Sequence, residues 1–270
     1  MIPCNENALY PRYRQRVADN FSRAAKTYDS AATLQRIVAQ KAMPSLPSGI
    51  EMVRILDLGS GTGSQTAKLQ SRYPSAQVVG MDMAMGMLQH AKRHLPDNPF
   101  SWCSGDIEAL PFTNDCFDLV FSSLAIQWCE SLSSVLKEVQ RTLKPGGHFV
   151  FSTLARDSLT ELSQAWCQVD GYSHVNQYDT FDAQLQQVAA SDFEPGFLKQ
   201  QAEVLHYPDT SLLLKELRAL GVNTVTEGAC SGLMTRRRLL AFRDAYENLR
   251  RPSGLPLTYQ VVYGALRKPN

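Results

Sequence analysis

From Val53 onward, short apolar runs alternate along the chain with longer runs in which apolar residues recur every three or four positions. The short runs are typical of buried strands and the longer runs of amphipathic helices. Strands separated by helices form βαβ units, so the pattern predicts an α/β fold with a parallel sheet and helices on both faces. The predicted strands are Val53–Leu58, Gln77–Met81, Phe100–Cys103, Phe117–Ser122 and His148–Leu154, and the helices between them are Gln65–Arg72, Met85–His94 and Ser133–Thr142.

Helical patterns also precede this core and interrupt its end. A helical segment, Arg14–Ala42, stops at the proline-rich stretch 44–47, and a turn is predicted at 144–147. Beyond Leu154, the helices predicted are Ser158–Asp170, Asp182–Ala190, Ser211–Leu220 and Arg236–Arg250, and the strands are Phe197–Tyr207 and Leu257–Leu266. The predicted organisation is an N-terminal helical cap (1–50), a core (51–207), a helical lid insertion (208–254) and a final core strand (255–270).

Composition narrows the class of protein. The 270 residues are 44% hydrophobic and 20% charged, which is typical of a globular chain rather than a disordered one. The sequence contains no secretory signal core and no apolar stretch of about 18 residues that would span a bilayer, so a cytoplasmic protein is expected. Six scattered cysteines without a C-x-x-C pair favour free thiols and no metal site.

Charge is distributed unevenly between these segments. Residues 1–50 carry seven basic and three acidic side chains, residues 210–253 carry eight and four, and residues 51–209 carry ten and nineteen. The two helical additions are therefore basic and the core is acidic, although the net charge of +1 argues against nucleic acid or a membrane as partner. Two interpretations stay open, since the additions could dock on the acidic core or form a basic rim for an acidic partner.

The chemistry is concentrated in a glycine-rich turn that follows the first predicted strand. Gly59, Gly61 and Gly63 let the backbone turn tightly and approach a ligand, and Asp82 ends the next strand, where a carboxylate can accept hydrogen bonds from a ribose diol. A dinucleotide fingerprint would need a glycine at position 64, which is Ser64. Asp57 before the turn and the acidic core suit a cationic ligand better than a dinucleotide.

This turn, Asp57-Leu58-Gly59-Ser60-Gly61-Thr62-Gly63, resembles motif I of the class I S-adenosylmethionine-dependent methyltransferases. Residues 104–112, 117–123 and 143–147 resemble later motifs of that superfamily, in the same order. The resemblance implies a Rossmann-like fold and S-adenosylmethionine as cofactor, with Asp106 meeting the adenine amino group and its apolar neighbour packing on the ring. The cofactor-binding positions it implies are Asp57, Gly59, Ser60, Gly61, Gly63, Asp82, Met83, Asp106, Ile107, Ser122 and Leu124.

Segments outside the shared core narrow the resemblance. The stretches 21–29, 123–129, 158–162, 174–176 and 256–259 resemble the malonyl-acyl-carrier-protein O-methyltransferases of biotin synthesis. The implied reaction is methylation of the free carboxylate of a malonyl thioester. One departure is that the candidate lid, Ala219–Leu233, lacks the arginine expected in its second half.

The resemblance also implies candidate substrate residues and a partner. Tyr28, Gln127, Trp128, His174 and Asn176 are the candidates for the catalytic pocket; a packed aromatic is the alternative for Tyr28 and Trp128, and a loop histidine for His174. An acyl carrier protein would dock on the basic face formed by Lys215, Arg218, Arg236, Arg237 and Arg238, for which a solvated helix face is the alternative. The competing functions are a methyltransferase for a small dicarboxylate or quinone precursor, and a non-catalytic cofactor-binding protein.

Overall fold

The strands and helices that alternate along the sequence form one mixed sheet in the computed structural model, which describes residues 6–96, 99–172, 174–221 and 235–270. Within these ranges the sheet has seven strands in the order β3-β2-β1-β4-β5-β7-β6. The first five are parallel, and β7 runs antiparallel to both β5 and β6. The strands are β1 (Arg54–Leu58), β2 (Gln77–Asp82), β3 (Ser101–Ser104), β4 (Phe117–Ser123), β5 (Leu143–Leu154), β6 (Glu194–Tyr207) and β7 (Leu255–Arg267). The predicted Rossmann-like sheet is confirmed.

The central strands are apolar because helices cover both faces of the sheet. In β1, Ile55 belongs to one buried cluster, whereas Leu56 and Leu58 belong to another, as the alternation of side chains along a strand requires. The connecting helices are α4 (Ser64–Arg72), α5 (Met85–His94) and α6 (Leu132–Thr142), followed by α7 (Thr160–Cys167) and α8 (Phe181–Ala189). Ser131 caps α6 by accepting a hydrogen bond from the backbone of Ser134.

The predicted turn at residues 144–147 is wrong, because these residues lie within β5. The pairing of β4 with β5 passes from Phe117–Leu143 directly to Leu119–His148, so the four residues 144–147 of β5 lie opposite the single residue Asp118 of β4. Gly146 takes up this excess at a φ of 73°, and its N–H bonds to the carbonyl of Lys268 rather than to β4. The strand therefore bulges where the sequence pattern indicates a break.

The N-terminal segment consists of three helices rather than the one predicted. They are α1 (Glu6–Ala24), α2 (Tyr28–Ala31) and α3 (Thr33–Ala42), with a 3-10 turn at Met43–Ser45. The Thr27 hydroxyl donates to the carbonyls of Ala24 and Ala219, which joins the break between α1 and α2 to the insertion. Helix α1 also crosses α5 closely, since a Cβ on Gly86 would lie 2.5 Å from the carbonyl oxygen of Ser22.

The insertion between β6 and β7 contains α9 (Thr210–Ala219) and α10 (Arg236–Glu247). Phe242 of α10 is buried against Trp166 of α7, with ring centroids 4.3 Å apart. At the end of α9, a Cβ on Gly221 would lie 2.9 Å from the carbonyl oxygen of Asn20, so α9 packs against the cap. Of the candidate lid, residues 219–221 are described and 222–233 lie outside the described residues.

Candidate active site

The glycine-rich turn leaves β1 at the carboxyl edge of the sheet. The backbone N–H groups of Gly59 and Ser60 both donate to the carbonyl of Met81 on β2, which fixes the turn to the neighbouring strand. Gly59 has a φ of 77°, and a Cβ there would lie 2.3 Å from the Cβ of Ala125. Glycine is therefore required by both backbone conformation and space.

Asp82 lies beside this turn and lines a cavity with Gly59 and Gly61. One carboxylate oxygen accepts a hydrogen bond of 2.8 Å from the N–H of Gly61, and the other accepts one of 2.7 Å from the N–H of Ala84. Burial raises the pKa of Asp82, and the backbone hydrogen bonds act in the opposite direction. Since each carboxylate oxygen has a second lone pair, Asp82 can still accept hydrogen bonds from a ligand in the cavity.

Asp57 lies behind the turn and does not line the cavity. It is 2% exposed, and the Thr66 hydroxyl donates to it at 2.6 Å. Burial raises the pKa of Asp57 to about 7, a shift that the Thr66 hydrogen bond reduces and the charge of Asp82 increases. Asp57 therefore acts on the cavity through the turn and through its charge, rather than by direct contact.

A second acidic group, Asp106, lines the far side of the cavity together with Ile107 and Met83. The guanidinium of Arg14, on α1, forms an ion pair with Asp106 and lies 3.9 Å from a carboxylate oxygen of Glu108. Arg14 also lines the cavity and is 21% exposed at its side chain. Helix α1 is therefore joined to the adenine-binding position that the resemblance implies.

Aromatic side chains form the wall between these acids. Phe21 of α1 packs edge-on against Trp128 at 5.4 Å and against Tyr28 at 6.1 Å between ring centroids. The Asp29 carboxylate accepts a hydrogen bond of 2.7 Å from Thr62 in the glycine turn, which positions the short helix carrying Tyr28. Burial, with the charges of Asp82 and Asp29, holds the pKa of Tyr28 well above its usual value. Its hydroxyl is therefore a neutral hydrogen-bond donor at physiological pH.

Residues at and just after the end of β4 complete the lining of the cavity. Leu124 lines the cavity at a φ of 51°, a conformation that a leucine adopts only where its surroundings impose it. Its N–H donates to the carbonyl of Ser152 on β5 at 3.0 Å. The residues that the structure brings together at the cavity, out of those predicted, are Tyr28, Gly59, Gly61, Asp82, Met83, Asp106, Ile107, Leu124 and Trp128.

Other predicted residues lie behind this lining. The Ser122 hydroxyl donates to the carbonyl of Leu58, and Ser123 faces the cavity in its place. Ser60 is buried in the turn, and a Cβ on Gly63, which directly precedes α4, would lie 2.6 Å from the Trp102 ring. Gln127 donates to the carbonyl of Leu124 at 2.7 Å and thus supports the lining rather than forming it.

The two candidates beyond β5 have different surroundings. His174 contacts Asp170 at 3.0 Å and stacks on Trp166 at 4.0 Å between ring centroids, away from the cavity. Asn176 hydrogen-bonds to the hydroxyls of Tyr13 and Tyr178 and lines a separate groove. Neither side chain is among those lining the cavity.

Sequence reasoning missed the face of α1 that covers the cavity. This face consists of Arg14, Val17, Ala18 and Phe21. Their spacing of three, four and seven residues from Arg14 is that of one helical stripe, so the sequence did carry a signal. The surface that these residues cover could not be predicted, because an apolar stripe with one arginine does not specify its packing partner. Met87, Glu108 and Cys129, which also line the cavity, were missed as well.

The predicted basic face is divided in the structure. Lys215 and Arg218 are exposed on α9, and Arg236 and Arg237 are exposed in the first turn of α10. Arg238 instead pairs with Asp170, and its side chain is 20% exposed. Among the described residues, no helix combines the length and apolarity needed to cross a bilayer, and no three metal-binding side chains of the described ranges come together.

The central part of the chain matches a known domain family. Residues 56–151 match a family model described as a methyltransferase domain, which covers the turn, Asp82, Asp106 and the end of β4. Solved structures show the same fold. A putative methyltransferase from Bacillus halodurans superimposes with a TM-score of 0.61 over 86% of this chain and 99% of that one, at 16% identity.

Curated relatives match over nearly the whole chain. The malonyl-[acyl-carrier protein] O-methyltransferase of Dechloromonas aromatica is 37% identical and covers 94% of this chain and 95% of its own length. The protein of the same name from Pectobacterium atrosepticum is also 37% identical, over 94% and 96%. The biotin biosynthesis bifunctional protein BioHC of Cellvibrio japonicus is 42% identical over 95% of this chain but 50% of its own. The chain thus spans about half of the bifunctional relative and almost all of the other two.

Proposed function

Because the chain belongs to the malonyl-[acyl-carrier protein] O-methyltransferase family, we propose that it methylates the free carboxylate of a malonyl thioester, using S-adenosylmethionine as the methyl donor. The product would be a methyl ester that enters biotin synthesis. The observation that carries this proposal is a cavity in which the glycine turn, Asp82 and Asp106 meet an apolar lining covered by α1. A cytoplasmic location is proposed with it.

The cavity suits this cofactor in the chemistry of the residues that line it. Asp82 offers acceptors for a ribose diol, Asp106 an acceptor for the adenine amino group, and Ile107 and Met83 apolar contacts for the ring. When bound, S-adenosylmethionine supplies an electrophilic methyl group on a sulfonium.

The residues around the methyl acceptor need not include a general base, because a malonyl carboxylate is already ionised at neutral pH. Tyr28 is suited to donate a hydrogen bond, since its hydroxyl stays protonated. Phe21, Leu124 and Trp128 exclude water, which would otherwise solvate the weakly nucleophilic carboxylate. The protein would therefore act mainly by orienting the carboxylate and keeping it dry.

The carrier protein would dock on exposed basic side chains. Since Arg238 pairs with Asp170, the proposed face is reduced to Lys215, Arg218, Arg236 and Arg237. Reversal of Arg236 and Arg237 to glutamate should weaken use of malonyl-acyl carrier protein and leave malonyl-CoA nearly unaffected. Reversal of Lys92 and Arg93, an exposed basic pair at the end of α5, is the control. Equal loss with both substrates would rule out docking at this face.

The function is tested by transfer of labelled methyl from S-adenosylmethionine to malonyl-acyl carrier protein. Acetyl-acyl carrier protein, malonyl-CoA and trans-aconitate serve as parallel acceptors. We expect methylation of the two malonyl thioesters and none of the acetyl thioester, which lacks a free carboxylate. Methylation of trans-aconitate alone would indicate a small-molecule methyltransferase, and cofactor binding without methylation of any acceptor would indicate a non-catalytic protein.

A further inference from the structure

A polar groove lies at the carboxyl edge of the sheet, where β5 ends. Its walls come from the residues directly after β5 (Arg156, Asp157, Ser158), from one face of α7 and from residues 175–178. It encloses about 1020 Å³, including the part open to solvent. Of the residues that line it, Asn176 alone was predicted as a site residue, and none belongs to the predicted cofactor-binding positions.

A hydrogen-bonded cluster links the groove to helix α1, which covers the cavity. Asn176 and Tyr178 line the groove, and the Asn176 amide hydrogen-bonds to the hydroxyls of both Tyr178 and Tyr13. Tyr13 is buried on α1 and directly precedes Arg14, which lines the cavity. The cluster therefore joins the groove to the helix that covers the cavity.

The surroundings of the groove are linked to the first turn of α10 through Asp170. Asp170 binds both Arg238 and His174, and Val175, which directly follows His174, lines the groove. Arg236 and Arg237, which are exposed, belong to the same turn of α10 as Arg238. The Asp170–Arg238 ion pair therefore connects the surroundings of the groove to the proposed docking face.

The lining chemistry restricts the ligand. Most side chains facing the groove are neutral hydrogen-bonding groups, including Ser163, Gln164, Asn176 and Gln177, and Arg156 is the one cation among the described residues that line it. Such a surface suits a slender chain of amides and hydroxyls that ends in a phosphate. It does not suit an acyl chain, which would require an apolar lining.

We infer that this groove holds the pantetheine arm that delivers the malonyl thioester, with the thioester end at the Tyr13–Asn176–Tyr178 cluster and the phosphate end toward solvent and Arg156. The inference rests on the proposed function, because it assumes a malonyl group carried on such an arm. It assigns Asn176 to the arm rather than to the reacting carboxylate. Both carriers would then bind through the arm in the groove, and the carrier protein alone would also contact the basic face.

The first test blocks the groove with a bulky side chain. Ser163 is exposed on α7, so Ser163→Trp should fill the groove without disturbing the core. We expect the KM for malonyl-CoA and malonyl-acyl carrier protein to rise about tenfold, while malonyl-N-acetylcysteamine, which keeps only the last atoms of the arm, is used as before. Ser71→Trp, at an exposed serine on α4, is the matched control and should behave as wild type.

The second test does not depend on turnover. Cys167 is an exposed free thiol that lines the groove, whereas Cys103 is a free thiol outside it. Iodoacetamide labelling of each peptide is followed with S-adenosylhomocysteine present, with and without malonyl-CoA. We expect malonyl-CoA to slow labelling of Cys167 about fivefold and to leave Cys103 unchanged, because a bound arm covers only the first thiol.

The outcomes separate the two proposals. If the wild type methylates no malonyl thioester, the proposed function fails, and protection of Cys167 by malonyl-CoA would still show an arm-binding groove. If the wild type methylates malonyl-CoA but Ser163→Trp affects all three acceptors equally and Cys167 is labelled at one rate throughout, the groove inference is overturned and the function stands.

Discussion

At the carboxyl edge of the sheet, Asp82 is held by backbone N–H groups of two residues close to it in the fold, whereas α1, on the other side of the same cavity, is held by side chains. Helix α1 is held by the Arg14–Asp106 ion pair, by a hydrogen bond from the N–H of Gly86 to the Ser22 hydroxyl, and by packing of the Phe21 ring against Trp128. Backbone contacts follow from strand register and turn conformation, while side-chain contacts depend on a helix that arrives from elsewhere. The glycine turn with Asp82 and Asp106, which we call the cofactor half of the site, is therefore preorganised. Helix α1, which we call the cover, is the part that can open.

The largest effect is expected at the preorganised half. Asp82→Asn leaves one acceptor oxygen where the wild type has two, and it removes the charge that strengthens hydrogen bonds from Gly61, Ala84 and a ligand diol. Loss of about 3 kcal/mol of binding energy corresponds to a Kd for S-adenosylhomocysteine about 100-fold higher. Calorimetric titration measures it, with Asp182→Asn, at an exposed position of α8, as control. A change below threefold would show that Asp82 does not bind the cofactor.

The second prediction concerns the buried carboxyl behind the turn. Because the pKa of Asp57 is raised to about 7, the folded protein holds a proton that the unfolded chain releases near its ordinary value of 3.8. The contribution of the protonated Asp57 to the stability of the folded protein is complete below the pKa of the unfolded chain and is lost as the pH rises through about 7. Between about pH 5.5 and about pH 7.5, the free energy of unfolding should fall by about 2 kcal/mol from this group.

Asp57→Asn removes this dependence, since its side-chain oxygen can still accept from Thr66 but does not titrate. Urea unfolding at a series of pH values measures the difference between wild type and variant. The two curves should approach each other at low pH and separate as the pH rises. Parallel curves over the whole range would mean that Asp57 has an ordinary pKa in the folded protein.

The same contrast explains what the sequence could predict. The turn from Gly59 to Gly63 and Asp82 were predicted because they lie at the ends of neighbouring strands, and parallel strands bring their carboxyl ends together. Asp106 was predicted only through the resemblance of residues 104–112 to a known motif. Arg14 and Phe21 were not found, since their role depends on where α1 packs, and that depends on the close crossing at Gly86 and on the break at Thr27. His174 shows the converse, because its position after β5 suggested substrate, whereas its partners are Asp170 and Trp166.

The role of α1 as the cover of the cavity is tested where α1 crosses α5, at Gly86. Alanine is a better helix former than glycine, so Gly86→Ala would stabilise α5 if nothing lay near it. A Cβ there would instead meet the Ser22 carbonyl at 2.5 Å, which pushes α1 away from the cavity. We expect kcat/KM to fall about tenfold with the core unfolding at nearly the same urea concentration. Gly171→Ala, with no heavy atom within 4 Å of the new Cβ, is the matched control.

The smallest effect is expected at the contact between cover and cofactor half. Arg14→Gln removes the partly buried ion pair with Asp106, and kcat/KM should fall about fivefold because the contact that holds α1 over the cavity is lost while the proposed cofactor-binding groups stay in place. Asp106→Asn should cost more, since it also removes the charge and one of the two acceptor oxygens at the position proposed to bind the adenine amino group. In the double variant, the Arg14 substitution should have almost no further effect, so the cycle gives a coupling of about 1 kcal/mol. Additive losses would mean that Arg14 acts on a bound ligand and not through Asp106.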